Sequence, residues 1–406
     1  MLFSIQINLL YIYNTYQLVQ HKKRYSGHKM TQTSVFDGHN DLLLALWRSD
    51  DLEGSSFISG RDTGHIDLPR CKTGKLDGGF FAMFVPAATI APDSFWKRHP
   101  ELITDDIKKN KQTRSDNLLN TATISQAYAY AATIEMIDIA HKLAKQHSDK
   151  VQLCTNSNEI KSSIEADKIA ILLHIEGAEA ISADLHELEV LYSKGLRSIG
   201  PVWSRKNIFA EGVDFSFPST PDQGGGLTQA GKELVRFCNE KQILIDLSHL
   251  NEAGFWEIAN ISDMPLIATH SNVHELCPSP RNLTASQLAA IAESNGIVGL
   301  NFGIGFLHLE GKRDRLLPLD TMCRHLDALL EVLGEDGVAL GSDFDGIQIS
   351  DHIRDCAGLP NLITAMRKNG YDDTLIDKIC SQNWIQLIKN MLAEDLFQLI
   401  TKIRHP

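Results

Sequence analysis

Residues 35–44, VFDGHNDLLL, run from an apolar pair through Asp37, Gly38, His39, Asn40 and Asp41 and then turn at once into three leucines. Surface charges scatter along a chain, whereas a tight polar cluster closing an apolar run marks side chains that converge on something. His39 and Asp41 are two residues apart, so an extended backbone points both to one face. An imidazole nitrogen beside a carboxylate oxygen is half of a metal site. The other half has to come from elsewhere in the chain, and the fold must be one that gathers strand ends.

Gly and Pro punctuation divides the chain after this stretch into short β-rich runs alternating with longer helical ones. The runs are 35–39, 79–85, 169–175, 196–202, 243–248, 265–269, 296–302 and 337–342, and helical patterns cover 120–147, 184–193, 229–240, 284–294 and 319–333. Eight apolar runs alternating with helices predict an α/β fold closed as a (β/α)8 barrel of the TIM type, in preference to an open sheet. Functional residues of such a barrel fall at the C-terminal ends of its strands. Two stretches break the alternation. Residues 86–119 are polar, with the Lys-rich patch DDIKKNKQ at 105–112, and are expected to cross a barrel face. Residues 204–228 are too long for an ordinary connection, and loops of that length inside a compact domain are usually functional.

A chain of 406 residues fits one barrel domain, here assigned to 30–406. Its formal charge of −12 and the absence of a long Lys/Arg run argue against nucleic acid or an anionic membrane as the main partner. The 7 cysteines are odd in number, scattered and never in C-x-x-C spacing, which points to neither a disulfide framework nor a cysteine-zinc site and suits a reducing, cytoplasmic setting. Residues 1–29 are apolar only in patches, no basic residue precedes those patches and no A-x-A-like site follows them, so neither a cleaved signal nor a membrane anchor is expected. They stay unassigned, with Met30 as an alternative start. Residues 372–404 read as C-terminal helices, with DLFQLITKI amphipathic enough to dock on the barrel or on a second subunit.

The strand ends then repay inspection. Glu176 closes the third run before a Gly turn, His249 follows the fifth, His270 the sixth, and Asp343 and Asp345 follow the eighth. Singly, each has a plain explanation: a His after a strand is more often a hydrogen-bonded structural residue, and a carboxylate before Gly is often a turn cap, as for Asp37 or Asp345. His65, His174, His274, His308 and His325 are read in that way. Three histidines and two carboxylates at corresponding strand ends are a different matter. Such a set overfills one tetrahedral zinc and suits two metals sharing a carboxylate and a hydroxide. Hydrolysis of a polarised carbonyl is the simplest chemistry needing both.

At these residues the chain resembles the renal, or membrane, dipeptidase family of binuclear zinc peptidases. DGHNDL (37–42), HIDLPRCKTGKLDGGFFAMFVP (65–86), EGAEAI (176–181), IDLSHL (245–250), THS (269–271), RNLT (281–284) and GSDFDG (341–346) occur in the family's order. The resemblance implies a (β/α)8 barrel in which His39 and Asp41 hold one divalent metal, His249 and His270 hold the other, and Glu176 bridges them. Zinc is the expected ion for both positions, and a homodimer the expected assembly. By the same implication Arg281 grips the free carboxylate of a dipeptide and Asp343 manages protons at the bridging water and the leaving amine. A guanidinium fork does match a carboxylate bidentately, and a carboxylate at a metal-lined mouth can serve as general acid and base.

Two positions depart from the family. Trp203 stands where renal-type members carry a His near the substrate carbonyl, and indole donates one hydrogen bond but accepts no proton. Oxyanion stabilisation would then fall to the metals or to Arg205. Gly303 stands where mammalian members have a Tyr, which leads to the expectation of a wider pocket. A related amidohydrolase acting on N-acyl amino acids or cyclic amides is the competing enzyme reading, but those barrels typically use an H-x-H pair and a carboxylated Lys. A non-catalytic metal-binding homologue is the competing reading from another class, and the full complement of ligands together with Asp343 argues against it.

Overall fold

The computed structural model describes residues 33–104, 107 and 120–392, all within one unit, Thr33–Pro406. The extension 1–29, the Lys-rich patch apart from Ile107, and the DLFQLITKI segment (395–403) lie outside the described residues. Every predicted apolar run overlaps a strand: β1 (Val35–Asn40), β2 (Leu76–Phe84), β4 (Ile169–Glu176), β5 (Leu196–Gly200), β6 (Leu244–Ile245), β7 (Ile267–Ala268), β8 (Ile297–Asn301) and β9 (Val338–Gly341). One strand was not anticipated. β3 (Val151–Leu153) pairs parallel to β4 and stands off the main strand path.

Parallel ladders run β1-β2-β4-β5-β6 and β7-β8-β9. Single parallel bridges, Asp246 with Ile267 and Asn40 with Phe344, join the two arcs into a ring of eight. Leu247 N–H donates to Ile267 O at 2.8 Å across the first seam, and Asp343 N–H to His39 O at 2.9 Å across the second. The result is the expected (β/α)8 barrel. Its strands are almost entirely buried, as strands of a barrel covered by helices must be, and they therefore read as continuous apolar runs rather than alternating ones.

Helices follow the strands with boundaries set by caps. The predicted 120–147 begins at Gln126, because the Ser125 side chain accepts from Tyr128 N–H and the chain before it is irregular. Thr284 and Gln287 form a reciprocal capping box at the head of Ala285–Glu293. Thr228 likewise caps Gln229–Lys241. On the other side of the ring, β7, β8 and β9 approach so closely around Thr269 that a Cβ on Gly341 would lie 1.8 Å from Thr269 O, and one on Gly299 2.0 Å from it. Only glycine fits at either place.

The long loop 204–228 is indeed irregular, and it lies over the strand ends. Val213 N–H donates to His249 O at 2.8 Å, and Asn251 Nδ2 donates to Gly225 O at 2.6 Å. The described part of the other excursion, 86–104, is held to the helix Gln126–Gln146 through Glu135. That carboxylate accepts from Trp47 Nε1 and Arg98 Nε, each at 2.7 Å.

Candidate metal and catalytic centre

His39 lies in β1 and Asp41 one residue past it, Glu176 ends β4, and His249, His270 and Asp343 lie in the turns that follow β6, β7 and β9. Because the barrel is parallel, all six side chains arrive at one mouth. His39 Nε2 stands 3.7 Å from Asp41 Oδ2 and 3.8 Å from Glu176 Oε2. The other oxygen of Glu176, Oε1, is 2.9 Å from His249 Nε2 and 3.5 Å from His270 Nε2. Glu176 thus faces the His39–Asp41 pair with one oxygen and the two later histidines with the other. All six residues are buried.

The donor set fits metal ions better than it fits a self-contained hydrogen-bond network. Both ring nitrogens of His39, and Asp41 Oδ1, are buried without a hydrogen-bond partner. A buried polar atom left unpaired is costly, and nitrogen and carboxylate oxygen are ligands that zinc, manganese or cobalt accept. Potential ligand atoms of His39, Glu176 and His270, and separately of His39, Asp41 and Asp343, lie within 4.8 Å of one another. The field of the pocket is negative. Burial opposes a charge on His39, yet Glu176, Asp41 and Asp343 together raise its pKa to about 10. Burial, reinforced by the mutual repulsion of the carboxylates, pushes Glu176 well above the usual carboxylate range and Asp343 upward as well. A cation between them would relieve that repulsion.

His249 and His270 are prepared as neutral ligands. Burial and the nearby positive charge of Arg281 and His39 drive both well below the ordinary histidine value. His249 Nδ1 is 2.9 Å from Ser204 Oγ, and His270 Nδ1 is 2.8 Å from Thr269 Oγ1. Protons on the Nδ1 atoms, donated to those hydroxyls, would leave the Nε2 lone pairs facing the site. His249 and Asp343 adopt positive φ, 70° and 58°. That is uncommon for residues other than glycine and is often found where function fixes the backbone.

Arg281 lies in the same region, 3 % exposed, donating from Nη2 to His270 O at 3.1 Å while its Nε has no partner. Trp203 and Arg205 line a neighbouring wall. The indole ring packs against Phe84 at 4.8 Å, Phe215 at 5.5 Å and His249 at 5.9 Å between centroids. Arg205 donates from Nε to Glu179 Oε1 at 2.6 Å and from Nη2 to Val85 O, which leaves only Nη1 without a partner. Most of its fork is therefore committed to protein.

The space beside Gly303 is not open as the sequence suggests. A Cβ there would meet Ile347 Cδ1 at 2.6 Å, Asn301 Oδ1 at 2.9 Å and Phe306 Cδ2 at 3.1 Å. Ile347 and Phe306 crowd the position, so the expectation of a wider pocket does not follow from this glycine. Asp345, read as a cap, accepts from Arg61 Nη1 and from His65 N–H, each at 2.6 Å, and pins the turn that carries Asp343. Asn301 was missed: its Nδ2 donates to Asp343 Oδ2 at 2.9 Å and orients that carboxylate. Ser204, Thr269 and Asp246 were missed too. The only signal for them was adjacency, inside VWSRK, IATHS and IDLSH, to residues already singled out.

Comparison with known proteins adds relatives to this geometry. The family model described as membrane dipeptidase, peptidase family M19, matches residues 27–397. A Klebsiella pneumoniae protein described as an uncharacterized protein in the pqqA 5′ region is 46 % identical over 257 residues, 63 % of this chain and 95 % of that one. A Rhodobacter sphaeroides metallo peptidase, solved with a phosphinate mimic of the dipeptide L-Ala-D-Ala, is 42 % identical at a TM-score of 0.79, covering 89 % of this chain and 100 % of its own. A second solved structure, dipeptidase AC, a metallo peptidase of family M19, is 42 % identical at a TM-score of 0.79, covering 90 % of this chain and 100 % of its own.

Proposed function

This chain belongs to the membrane dipeptidase family and is a metal-dependent dipeptidase, and from that premise we propose that it holds two zinc ions and cleaves dipeptides bearing a free C-terminal carboxylate. The observation that carries the reading is the placement of Glu176, one oxygen 3.8 Å from His39 Nε2 and the other 2.9 Å from His249 Nε2. His39 and Asp41 would hold one ion, His249 and His270 the other, with Glu176 shared. When bound, such a pair supplies a water acidic enough to attack at neutral pH and polarises the scissile carbonyl.

The remaining steps fall to side chains. Arg281, buried and with an unpaired Nε, receives the terminal carboxylate and sets the register of the peptide bond. Asp343, oriented by Asn301, takes a proton from the attacking water and delivers it to the departing amine nitrogen. Trp203 forms an apolar wall beside His249 and excludes water there, while Arg205, held by Glu179, keeps the indole in place. Small dipeptides are the favoured substrates, and the phosphinate mimic of L-Ala-D-Ala bound by the Rhodobacter relative supports an L-D pair.

A homodimer in a reducing cytoplasm completes the reading, supported by the family resemblance and by the odd, scattered cysteines. Among the described residues no helix is long and apolar enough to cross a membrane. Turnover of a panel of L-L and L-D dipeptides by zinc-reconstituted protein tests the proposal. Hydrolysis of the free dipeptides with loss of activity on chelation is expected. Inertness towards the whole panel, or equal rates with and without chelator, would overturn it.

A further inference from the structure

We propose that Asp246 is a positioning residue for the metal centre, acting through Thr269 to fix the tautomer of His270 while its carboxylate holds together the two strand ends that deliver His249 and His270. The inference rests on the reading of those two histidines as metal ligands. Asp246 lies just past β6, fully buried, at the seam where β6 and β7 share a single isolated bridge. Its side chain supplies what the ladder lacks. Oδ1 accepts from Ser248 N–H at 3.0 Å, Ser248 Oγ at 2.7 Å and Thr269 N–H at 2.8 Å. Ser248 Oγ in turn accepts from His270 N–H at 3.2 Å, so one carboxylate ties down both strand ends.

The second oxygen sets a direction. Thr269 Oγ1 donates to Asp246 Oδ2 at 2.6 Å. A hydroxyl has one proton, and with that proton spent on Asp246 the same oxygen can only accept from His270 Nδ1, 2.8 Å away. The proton of His270 is thereby held on Nδ1, and its Nε2 lone pair faces Glu176 Oε1 at 3.5 Å. His174 Nε2 stands 3.5 Å from the same Oδ2, and its Nδ1 3.0 Å from Ser198 Oγ, so the carboxylate has ordered polar neighbours on each side. A carboxylate behind a ligating histidine commonly fixes its ring and raises its basicity; here one hydroxyl intervenes.

Substitutions distinguish this role from packing. In Asp246→Asn the amide can donate to Thr269 Oγ1, whose proton then turns to His270 Nδ1 and shifts the ring proton onto Nε2, the atom needed for the metal. Thr269→Val removes the relay, and Thr269→Ser keeps it. Zinc affinity of the apo-protein, measured by competition with a chromophoric chelator, should fall ~10- to 100-fold in Asp246→Asn and Thr269→Val. Thr269→Ser should bind near the wild-type level, and 15N spectra of the ring nitrogens should report the Nδ1–H tautomer for His270 in wild type and in Thr269→Ser. Should Asp246→Asn fail to fold, the two Thr269 variants decide. Wild-type zinc affinity in Thr269→Val, even with a lowered apo-protein Tm, would reduce the network to packing and overturn the inference. His270→Ala serves as the control: unchanged zinc affinity there would remove the metal reading itself, whereas a loss there beside an unaffected Thr269→Val would remove only the role of Asp246.

Discussion

His249 and His270 bring their Nε2 atoms to 3.1 Å of one another. With the ring protons held on the Nδ1 atoms that face hydroxyls, two lone pairs would face each other beside Glu176, an arrangement that a cation between them would relieve. About two divalent ions per chain are therefore expected from elemental analysis of protein purified without chelator. Stripping them should lower Tm, because an ion that binds only the folded state stabilises it by mass action. Glu176→Gln removes the one carboxylate facing both halves, so occupancy should fall at both positions. A stoichiometry that stays at one or below after reconstitution would defeat the binuclear reading.

Arg281 yields a prediction about substrate. Its guanidinium is buried beside the His270 carbonyl, and burial lowers its pKa below the ordinary arginine value despite the attraction of Asp343 and Glu176. An incoming carboxylate would restore the lost solvation. Arg281→Lys substitutes a point charge for the planar fork and should raise KM for free dipeptides, and amidating the dipeptide C-terminus should weaken wild-type turnover in the same sense. Equal rates on free and amidated substrates would remove Arg281 from this role and favour a cyclic-amide or N-acyl substrate.

The barrel was legible in sequence because its strands are buried on both faces and so read as unbroken apolar runs. Where side chains take over from the backbone ladder the reading was less accurate. The predicted 243–248 and 265–269 shrink to Leu244–Ile245 and Ile267–Ala268, because Asp246, Ser248 and Thr269 join those strand ends by side-chain hydrogen bonds. β3 escaped because three residues are too few to show a pattern. Among the histidines left aside, His65, His274 and His308 are occupied by hydrogen bonds to Asp345 N–H, Ser219 O and Glu310 N–H. His174 is likewise held, its Nδ1 3.0 Å from Ser198 Oγ, but its ring also stands 5.4 Å from that of His39 and its buried Nε2 has no hydrogen-bond partner. Thr269 stands next to His270 in the chain, whereas Ser204 reaches His249 Nδ1 from 45 residues away, a pairing set by long-range packing with no local signature.

His325 sets part of the acid stability. Fully buried in the helix Leu319–Leu333, it accepts from Val273 N–H at Nδ1 (3.3 Å) and faces Leu307 O with Nε2 (3.1 Å). Burial is the main cause that lowers its pKa from 6.5 to about 4. Between those values the unfolded chain binds the proton and the folded one does not, so stability is retained above pH 6.5 and lost as pH falls towards 4. The loss amounts to about 2 kcal/mol by roughly pH 5. His325→Gln can keep both hydrogen bonds without titrating. Urea unfolding of the two proteins should show the variant gaining on wild type by about that amount between roughly pH 7 and 5. Parallel pH curves would show that His325 does not contribute.

Asp343 separates metal binding from catalysis. Its backbone N–H donates to His39 O at 2.9 Å at the seam between β9 and β1, its φ is positive, and its Oδ2 is fixed by Asn301 Nδ2 at 2.9 Å. Glu176, His39, Asp41, His249 and His270 already provide a ligand set for two ions, whereas the departing amine still needs a proton. Burial raises the Asp343 pKa, with Asp41 adding to the shift and His39 and Asn301 opposing it, and a raised carboxyl is better suited to hold a proton and release it during the reaction. Asp343→Asn keeps the shape and the room for Asn301 but cannot shuttle that proton. The variant should retain both metals and lose ~10²- to 10⁴-fold in kcat, with a smaller change in KM. Asn301→Ala should show a weaker form of the same defect, since the carboxyl would remain without its orienting donor. A metal missing from Asp343→Asn would make the residue a ligand, and near-normal turnover would leave it as a cap of the GSDFDG turn.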